Sequence, residues 1–248
     1  MDSGFYAACA GLRAQSQALE VEAHNLANVN TAGFRGEQTT FQSLVALAGR
    51  VAPNMVNLAT NNYGVLEGTH LDLTPGNLAK TGNPLDVGIE GNGFFVIDTP
   101  QGVRYTRNGS FQVSSTGELV TAAGDRVEND TPPDYGVIRV PAGEVAISPD
   151  GTLSVNGAIA GKIRIVNFPA GTRLTAEGGT LLSAPAGSER AAQQATVRQA
   201  TLESSNVNAI NAVTALIGVQ REAEMMGRAL SLFDTEFNHI AASELSKV

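Results

Sequence analysis

Tryptophan is absent from the 248-residue chain, and aromatic residues make up only 5% of it. Surfaces that stack sugars or nucleobases are built from such side chains, so the sequence supplies them poorly. Charged residues are scarce as well, at 16% against roughly 25% in ordinary domains. The formal net charge is −8, and lysine and arginine form no cluster. Because phosphate binding needs a basic face, we expect no nucleic-acid partner.

Cysteine is almost absent too. Cys9 stands alone, which excludes a disulfide within the chain and a cysteine zinc site. The histidines have no neighbour at metal-ligand spacing; they are His24, His70 and His239. A glycine run at 88–93 superficially resembles a phosphate loop, but it lacks the Lys-Ser/Thr ending and a strand follows it. We therefore expect no enzyme, cofactor, metal or small-molecule substrate. Calcium in the 125–130 loop and an enzyme of unrecognised type remain weaker alternatives.

The chain also lacks targeting signals. Residues 1–15 have no basic region followed by a continuous apolar run, so we expect no cleavable secretory signal. No stretch approaches the roughly 20 apolar residues needed to span a bilayer. These absences predict either a cytoplasmic protein or one exported without a cleavable signal.

Apolar residues at heptad-like spacing predict a helix at each end of the chain. The N-terminal stripe is Phe5, Cys9, Leu12, Ser16, Leu19, Ala23 and Leu26. The C-terminal stripe is Leu216, Val219, Ala223, Met226, Leu230, Phe233, Phe237 and Ile240. One interpretation is that each helix lies on a domain core; the other is that they pair as a coiled coil. Asn206 or Asn208 is the expected N-cap of the second helix.

Between the helices the pattern predicts short antiparallel strands. Phe94 to Ile97 is typical of a buried strand. Asn108-Gly109 and Asn156-Gly157 predict hairpins, since both central residues of such a turn need positive φ. Pro132-Pro133 is the expected break in the β region.

Three segments resemble the rod and hook family of bacterial flagellar axial proteins. The first runs from Asn25 to Arg35, the second covers residues 91–96 and 105–111, and the third lies at 205–208, followed by Gln220, Arg221 and Asp234. The chain departs from the family pattern at Ala223 and Met226. Its length and compact middle resemble a proximal rod subunit most and a distal rod subunit next, with the longer hook protein a poorer fit.

The resemblance implies an α+β fold, in which the N- and C-terminal helices pair as a coiled-coil axial domain beside a central, mainly-β antiparallel domain. The implied segments are 1–35 and 190–248 for the axial halves, 36–80 for an extended linker and 81–189 for the β domain. The implied function is that of a structural subunit, which polymerises into a rod that transmits torque and conducts exported subunits. The implied partners are copies of itself, other rod proteins and the type III export apparatus, which would deliver it to the basal body without a cleavable signal.

The implied assembly residues lie in the first and third of these segments and along the C-terminal helix. They are Asn25, Leu26, Ala27, Asn28, Val29, Asn30, Thr31, Gly33, Phe34, Ser205, Asn206, Val207, Asn208, Leu216, Val219, Gln220, Arg221, Met226, Leu230, Phe233, Phe237 and Ile240. The alternative from another class is a secreted β-domain binding module whose helices form only a stalk.

Overall fold

A computed structural model describes residues 2–43, 64–131, 136–192 and 194–245. In these residues, helix α1 (Asp2–Ala27) and helix α2 (Ala209–Leu245) bracket eighteen short strands. The strands are β1 (Glu37–Ser43), β2 (Gly64–Leu71), β3 (Leu78–Lys80), β4 (Val87–Glu90), β5 (Phe94–Thr99), β6 (Gly102–Thr106), β7 (Phe111–Val113), β8 (Leu119–Thr121), β9 (Arg126–Val127), β10 (Val145–Ile147), β11 (Thr152–Val155), β12 (Ala158–Lys162), β13 (Ile165–Asn167), β14 (Thr175–Ala176), β15 (Leu182–Ser183), β16 (Arg190–Ala191), β17 (Thr196–Gln199) and β18 (Thr201–Glu203).

The strands of the central region pair antiparallel, as predicted. A nine-stranded sheet follows the order β14-β15-β6-β5-β9-β8-β7, with β13 on β5 and β16 on β13. A three-stranded sheet has the order β10-β11-β12, and the pairs β1-β2, β17-β4 and β18-β3 complete the set. The mixed α+β composition with a mainly-β centre is therefore confirmed.

The chain divides into two compact units. The first consists of the described parts of Met1–Ala27, Glu37–Thr69 and Ala209–Val248, and the second of Asn28–Gly36 and the described parts of His70–Asn208. The segment boundaries predicted from the sequence stay a prediction.

Strand β5 supplies both hydrophobic clusters of the second unit. Phe95 and Ile97 belong to one cluster, and Phe94 and Val96 belong to the other. Successive side chains of a strand point to opposite faces, so an uninterrupted apolar run buries both faces at once. The predicted buried strand at 94–97 is confirmed.

The predicted coiled-coil pairing of the terminal helices is wrong. The helices contact each other in the first unit, where Gln15 Nε2 donates to Glu222 Oε2 at 2.5 Å. However, the fully buried residues of α1 between positions 9 and 24 are small ones: Gly11, Ala14 and Ala18. Three positions of the predicted seam are instead exposed: Cys9, Ser16 and Ala23. A coiled coil requires its heptad positions inside the contact, whereas α1 packs through small side chains in another register.

The predicted seam of α2 is only half-buried at Leu216, Val219, Ala223, Met226 and Leu230. The side chains of Phe233, Phe237 and Ile240 lie outside the described residues, as does the Pro132-Pro133 break. The described part of this stripe is therefore not enclosed, as the side chains of a knobs-into-holes seam would be.

The two Asn-Gly pairs behave differently. Asn156 and Gly157 have φ values of 52° and 82° and join β11 to β12, so that hairpin prediction is confirmed. The prediction at Asn108-Gly109 is wrong, because β6 pairs with β5 and β15 while β7 pairs with β8. A β-carbon on Gly109 would lie 1.7 Å from the Val87 carbonyl oxygen. This glycine therefore serves close backbone packing rather than a hairpin turn.

Candidate functional site

The N-terminal and C-terminal asparagine-rich motifs meet inside the second unit. The Gly36 amide donates to Asn206 Oδ1 at 2.8 Å, and the Asn206 amide donates to the Phe34 carbonyl at 3.4 Å. We name this region the junction and define it as residues 28–36, 72–76 and 203–208 together with Arg107. It joins the segment that follows α1 to the segment that precedes α2.

A buried cluster of three charged side chains lies in the junction. Arg35 Nη2 donates to Glu203 Oε1 at 2.6 Å, and Arg107 Nη1 donates to Glu203 Oε2 at 3.0 Å. The three side chains are between 1% and 3% exposed. Burial lowers the pKa of Arg107, and the neighbouring Arg35 adds to that effect while Glu203 opposes it. Such a cluster is tolerated in a protein interior only because each charge is paired and hydrogen-bonded.

Further contacts fix both arginines. Arg35 Nη1 donates to the Thr74 carbonyl at 2.9 Å, and Arg107 Nη2 donates to the Gly91 carbonyl at 2.8 Å. The Arg107 guanidinium also lies 5.2 Å from the ring centroid of Phe94, within cation–π distance. Neither buried Nε atom has a hydrogen-bond partner among the described residues. The arginines are thus structural members of the junction rather than free cations.

Asn206 connects three segments of the junction. Its Nδ2 donates to the carbonyls of Asp72 at 2.8 Å and Thr74 at 3.2 Å, while its Oδ1 accepts from Gly36. The Asp72 amide in turn donates to the Gly36 carbonyl at 2.8 Å. Asn206 is therefore not the helix cap. Asn208, directly before α2, is the residue at the N-cap position.

The turn that ends the first motif depends on Gly33. Its φ is 68°, and its amide donates to the Glu203 carbonyl at 2.7 Å. Within the same turn, the Thr31 hydroxyl donates to Asn28 Oδ1 at 3.1 Å. Phe34, which follows the glycine, is only 2% exposed.

Asn25 has a separate role, in the first unit. It is 6% exposed, its Oδ1 accepts from the Glu37 amide at 2.8 Å, and its Nδ2 donates to the Glu37 carbonyl at 2.7 Å. The side chain therefore pairs with the backbone at the start of β1 in the way a neighbouring strand would.

The other predicted residues are more exposed. Half-buried positions in and beside the motifs are Leu26, Val29, Ser205 and Val207, and the exposed ones are Ala27 and Asn30. On α2, Gln220 and Arg221 are exposed, and Gln220 Nε2 donates to Glu224 Oε1 at 3.5 Å. The structure thus brings the two motifs together at the junction and leaves the α2 residues outside it.

Sequence reasoning missed two sets of residues. The first is the junction cluster, because Glu203 belonged to no motif and Arg107 had no assigned role. The second is an exposed apolar stripe on α2, in which the side chains are 40% to 77% exposed: Ile210, Val213, Ile217, Met225 and Leu232. Their spacings of 3, 4, 8 and 7 residues keep them on one side of a helix that turns about 100° per residue. This exposed stripe lies opposite the half-buried stripe, and its periodicity can be recognised in the sequence. Exposed charged residues lie between its members on the same side of the helix: Arg221, Glu224 and Arg228.

Among the residues that the structure describes, no group of three or more His, Cys, Asp or Glu side chains could hold a metal ion. A cavity of about 390 Å³ includes Asp130, Lys162, Arg164 and Glu189 in its lining. These side chains are paired with one another, Lys162 with Asp130 at 3.3 Å and Arg164 with Glu189 at 2.9 Å. Among the described helices, none is long and apolar enough to cross a membrane.

Comparison with known proteins identifies the class. A family described as flagella basal body rod protein matches residues 5–35, and one described as flagellar hook protein FlgE/F/G D1 domain matches residues 88–155. The first helix with its motif and the central β region therefore have the sequence character of flagellar rod and hook subunits.

Individual proteins that match over most of their length identify the family. The chain is 32% identical to the flagellar basal-body rod protein FlgF of Mesorhizobium japonicum, over 90% of each chain. It is 32% identical to the FlgG rod protein of Bacillus subtilis, over 92% of this chain and 94% of the relative. FlgF of Salmonella typhimurium is also 32% identical, over 94% and 95%. The chain belongs to the flagellar basal-body rod protein family, which is a family of structural proteins.

Proposed function

We propose that this protein is a non-enzymatic subunit of the flagellar rod and that it assembles through α2. The observation that carries the proposal is the exposed stripe on α2. Ile210 is 77% exposed and Leu232 is 70% exposed, although the opposite side of the same helix is already half-buried. A helix with apolar side chains on two opposite sides needs neighbours on both. A packed tube of subunits supplies them.

The energetics favour assembly over a solitary chain. Fully burying one large aliphatic side chain stabilises by about 1.5–3 kcal/mol relative to leaving it in water. Five such residues along one helix therefore offer substantial stabilisation, part of which is lost to the entropy of association. Exposed apolar surface of this kind marks an interaction site.

The proposed partners are copies of this chain and other rod proteins, and the proposed location is the basal body. Relatives named as basal-body rod proteins support both statements. We further propose that the flagellar type III apparatus exports the subunit without a cleavable signal. The assembled rod would then transmit torque and conduct later subunits.

FlgF-like and FlgG-like positions in the rod are both supported. Relatives of each name match at 32% identity over at least 90% of this chain. The compact middle of the sequence favours the FlgF-like position, which we take as the proposal, with the distal, FlgG-like position as the alternative.

Electron cryotomography of basal bodies in cells that lack this gene tests the proposal. Rods that stop at the inner membrane would support a proximal subunit. A longer stub that fails to reach the outer rings would support the distal alternative. Normal rods and hooks would contradict a rod function and favour a binding module.

A further inference from the structure

One residue holds the junction together. Glu203 accepts four hydrogen bonds: its carbonyl from the Gly33 amide, Oε1 from Arg35 and from the Gly76 amide, and Oε2 from Arg107. The donors come from segments far apart in the chain, with Arg107 and Arg35 lying 96 and 168 residues away from Glu203. All of them precede Glu203 in sequence.

The junction depends strongly on the Glu203 carboxylate, because two charged groups are paired with it. Two arginines share one carboxylate, so removing that carboxylate leaves two buried guanidinium groups facing each other without an anion. A buried charge that has lost its partner is strongly destabilising, because neither water nor another charge replaces the lost interaction. No lysine or arginine elsewhere in the described chain is as deeply buried as these two.

The junction meets the apolar core at Arg107, whose guanidinium lies over the Phe94 ring. The contacts that join the segments 28–36, 72–76 and 203–208 to one another include a buried ion pair and a set of hydrogen bonds. A region joined by such contacts can open locally, at a lower free energy than the core strands do.

We propose that the junction is a latch which Glu203 closes, and which opens as one piece while the β core stays folded. Because Glu203 contacts Gly33 and Arg35 and also begins the 203–208 segment, its release frees the connections to α1 and to α2 together. A chain that lacks residue 203 carries every donor and no acceptor, so the latch closes only on a chain that extends to this residue. This inference does not depend on the rod function.

Amide hydrogen exchange on the full-length protein tests the latch. The reporters in the junction are the amides of Gly33, Gly36 and Gly76, and the reporters in the core are those of Val96 and Leu119, which donate to Arg164 and Ile138. In Glu203→Gln, which keeps the shape of the side chain, we expect junction protection to fall about 100-fold or more, with core protection within about threefold of wild type. Glu90→Gln is the matched control, because Glu90 pairs with Arg198 at 2.7 Å on the surface and should leave both groups protected.

Two results would overturn the latch. If Glu203→Gln leaves the junction protected as in wild type, the carboxylate does not close it. If junction and core lose protection together, including the case in which the variant fails to fold, the junction is part of one cooperative unit. Exchange of the wild-type protein in rising denaturant provides the second measurement: the three junction amides should open together at lower free energy than the core amides.

Discussion

Gly33 and Asn108 lie so close together that a β-carbon on Gly33 would be 2.2 Å from the Asn108 backbone nitrogen. The turn of the N-terminal motif therefore packs directly on the loop between β6 and β7, with no space for a side chain. This contact, together with the hydrogen bond from Gly33 to Glu203, explains why the motif needs glycine at this position.

Gly33→Ala should reduce the free energy of unfolding by about 3 kcal/mol, because it adds a backbone clash to the strain of a positive φ. Gly82→Ala is the control: its φ is 80°, but no atom lies within 4 Å of the added carbon. That variant should lose only about 1 kcal/mol. Urea denaturation followed by circular dichroism measures both, and equal losses would show that the contact with Asn108 is unimportant.

Asn25→Ala should reduce the free energy of unfolding by about 1–3 kcal/mol, because it leaves the partly buried backbone amide and carbonyl of Glu37 without their side-chain partner. Asn30→Ala changes the same residue type at an exposed position of the same motif and should stay within about 0.5 kcal/mol of wild type. Urea denaturation followed by circular dichroism measures the free energy of unfolding of both variants. A neutral Asn25→Ala would mean that water replaces both hydrogen bonds.

Ala200→Gly should stabilise the protein by about 0.5–1 kcal/mol. Ala200 has a φ of 57°, at the point where the chain passes from β17, which pairs with β4, to β18, which pairs with β3. Glycine adopts this conformation without the steric cost that alanine bears. Ala158→Gly, in strand β12, should instead destabilise by about 0.5–1 kcal/mol. Thermal denaturation of the two variants should shift the midpoint in opposite directions, and a lower midpoint for Ala200→Gly would contradict the account.

Alkaline pH should destabilise the second unit through Tyr105. Burial raises the pKa of Tyr105 to about 12 from an ordinary 10.0, with the neighbouring Glu189 carboxylate adding to the shift. The folded state thus retains the phenolic proton that the unfolded chain releases. The associated stability is fully present below about pH 10 and is lost as the pH rises towards about 12.

The expected loss is on the order of 2 kcal/mol, given about 1.4 kcal/mol per pKa unit. Tyr105→Phe, which has no ionisable hydroxyl, should lack this component when urea midpoints are compared across the same pH range. If wild type and variant decline in parallel above pH 10, Tyr105 is not the responsible group.

The sequence predicted those features that depend on local patterns. The helix at each end of the chain, the buried strand β5 and the turn at Asn156-Gly157 each follow from the pattern of nearby residues. The helix contact did not follow, because the heptad pattern gives weight to large apolar side chains, whereas α1 packs through Gly11, Ala14 and Ala18.

The assembly role assigned to Gly33, Phe34 and Asn206 stays a prediction. The structure brings the three residues into the junction, and no pattern in the sequence indicated that the two motifs would meet there. Glu203 was missed because a glutamate is almost never buried unless it is paired, and its partners lie too far away in sequence for a local pattern to reveal. Asn108-Gly109 failed for the related reason that a tertiary contact with Val87, rather than the dipeptide, determines its backbone.

If the exposed stripe of α2 contacts neighbouring subunits in the rod, as proposed, a charge placed within it should lower the amount of this protein in purified basal bodies. Cells lacking the gene would receive wild type, Ile217→Asp, or Asn211→Asp, which places the same charge at an exposed position of the same helix. We expect Asn211→Asp to be incorporated and to support motility as wild type does. Ile217→Asp should fall at least about tenfold in basal bodies while its unfolding transition stays unchanged, because an aspartate cannot be buried in an apolar contact without a partner. Incorporation of Ile217→Asp at the wild-type level would contradict the claim.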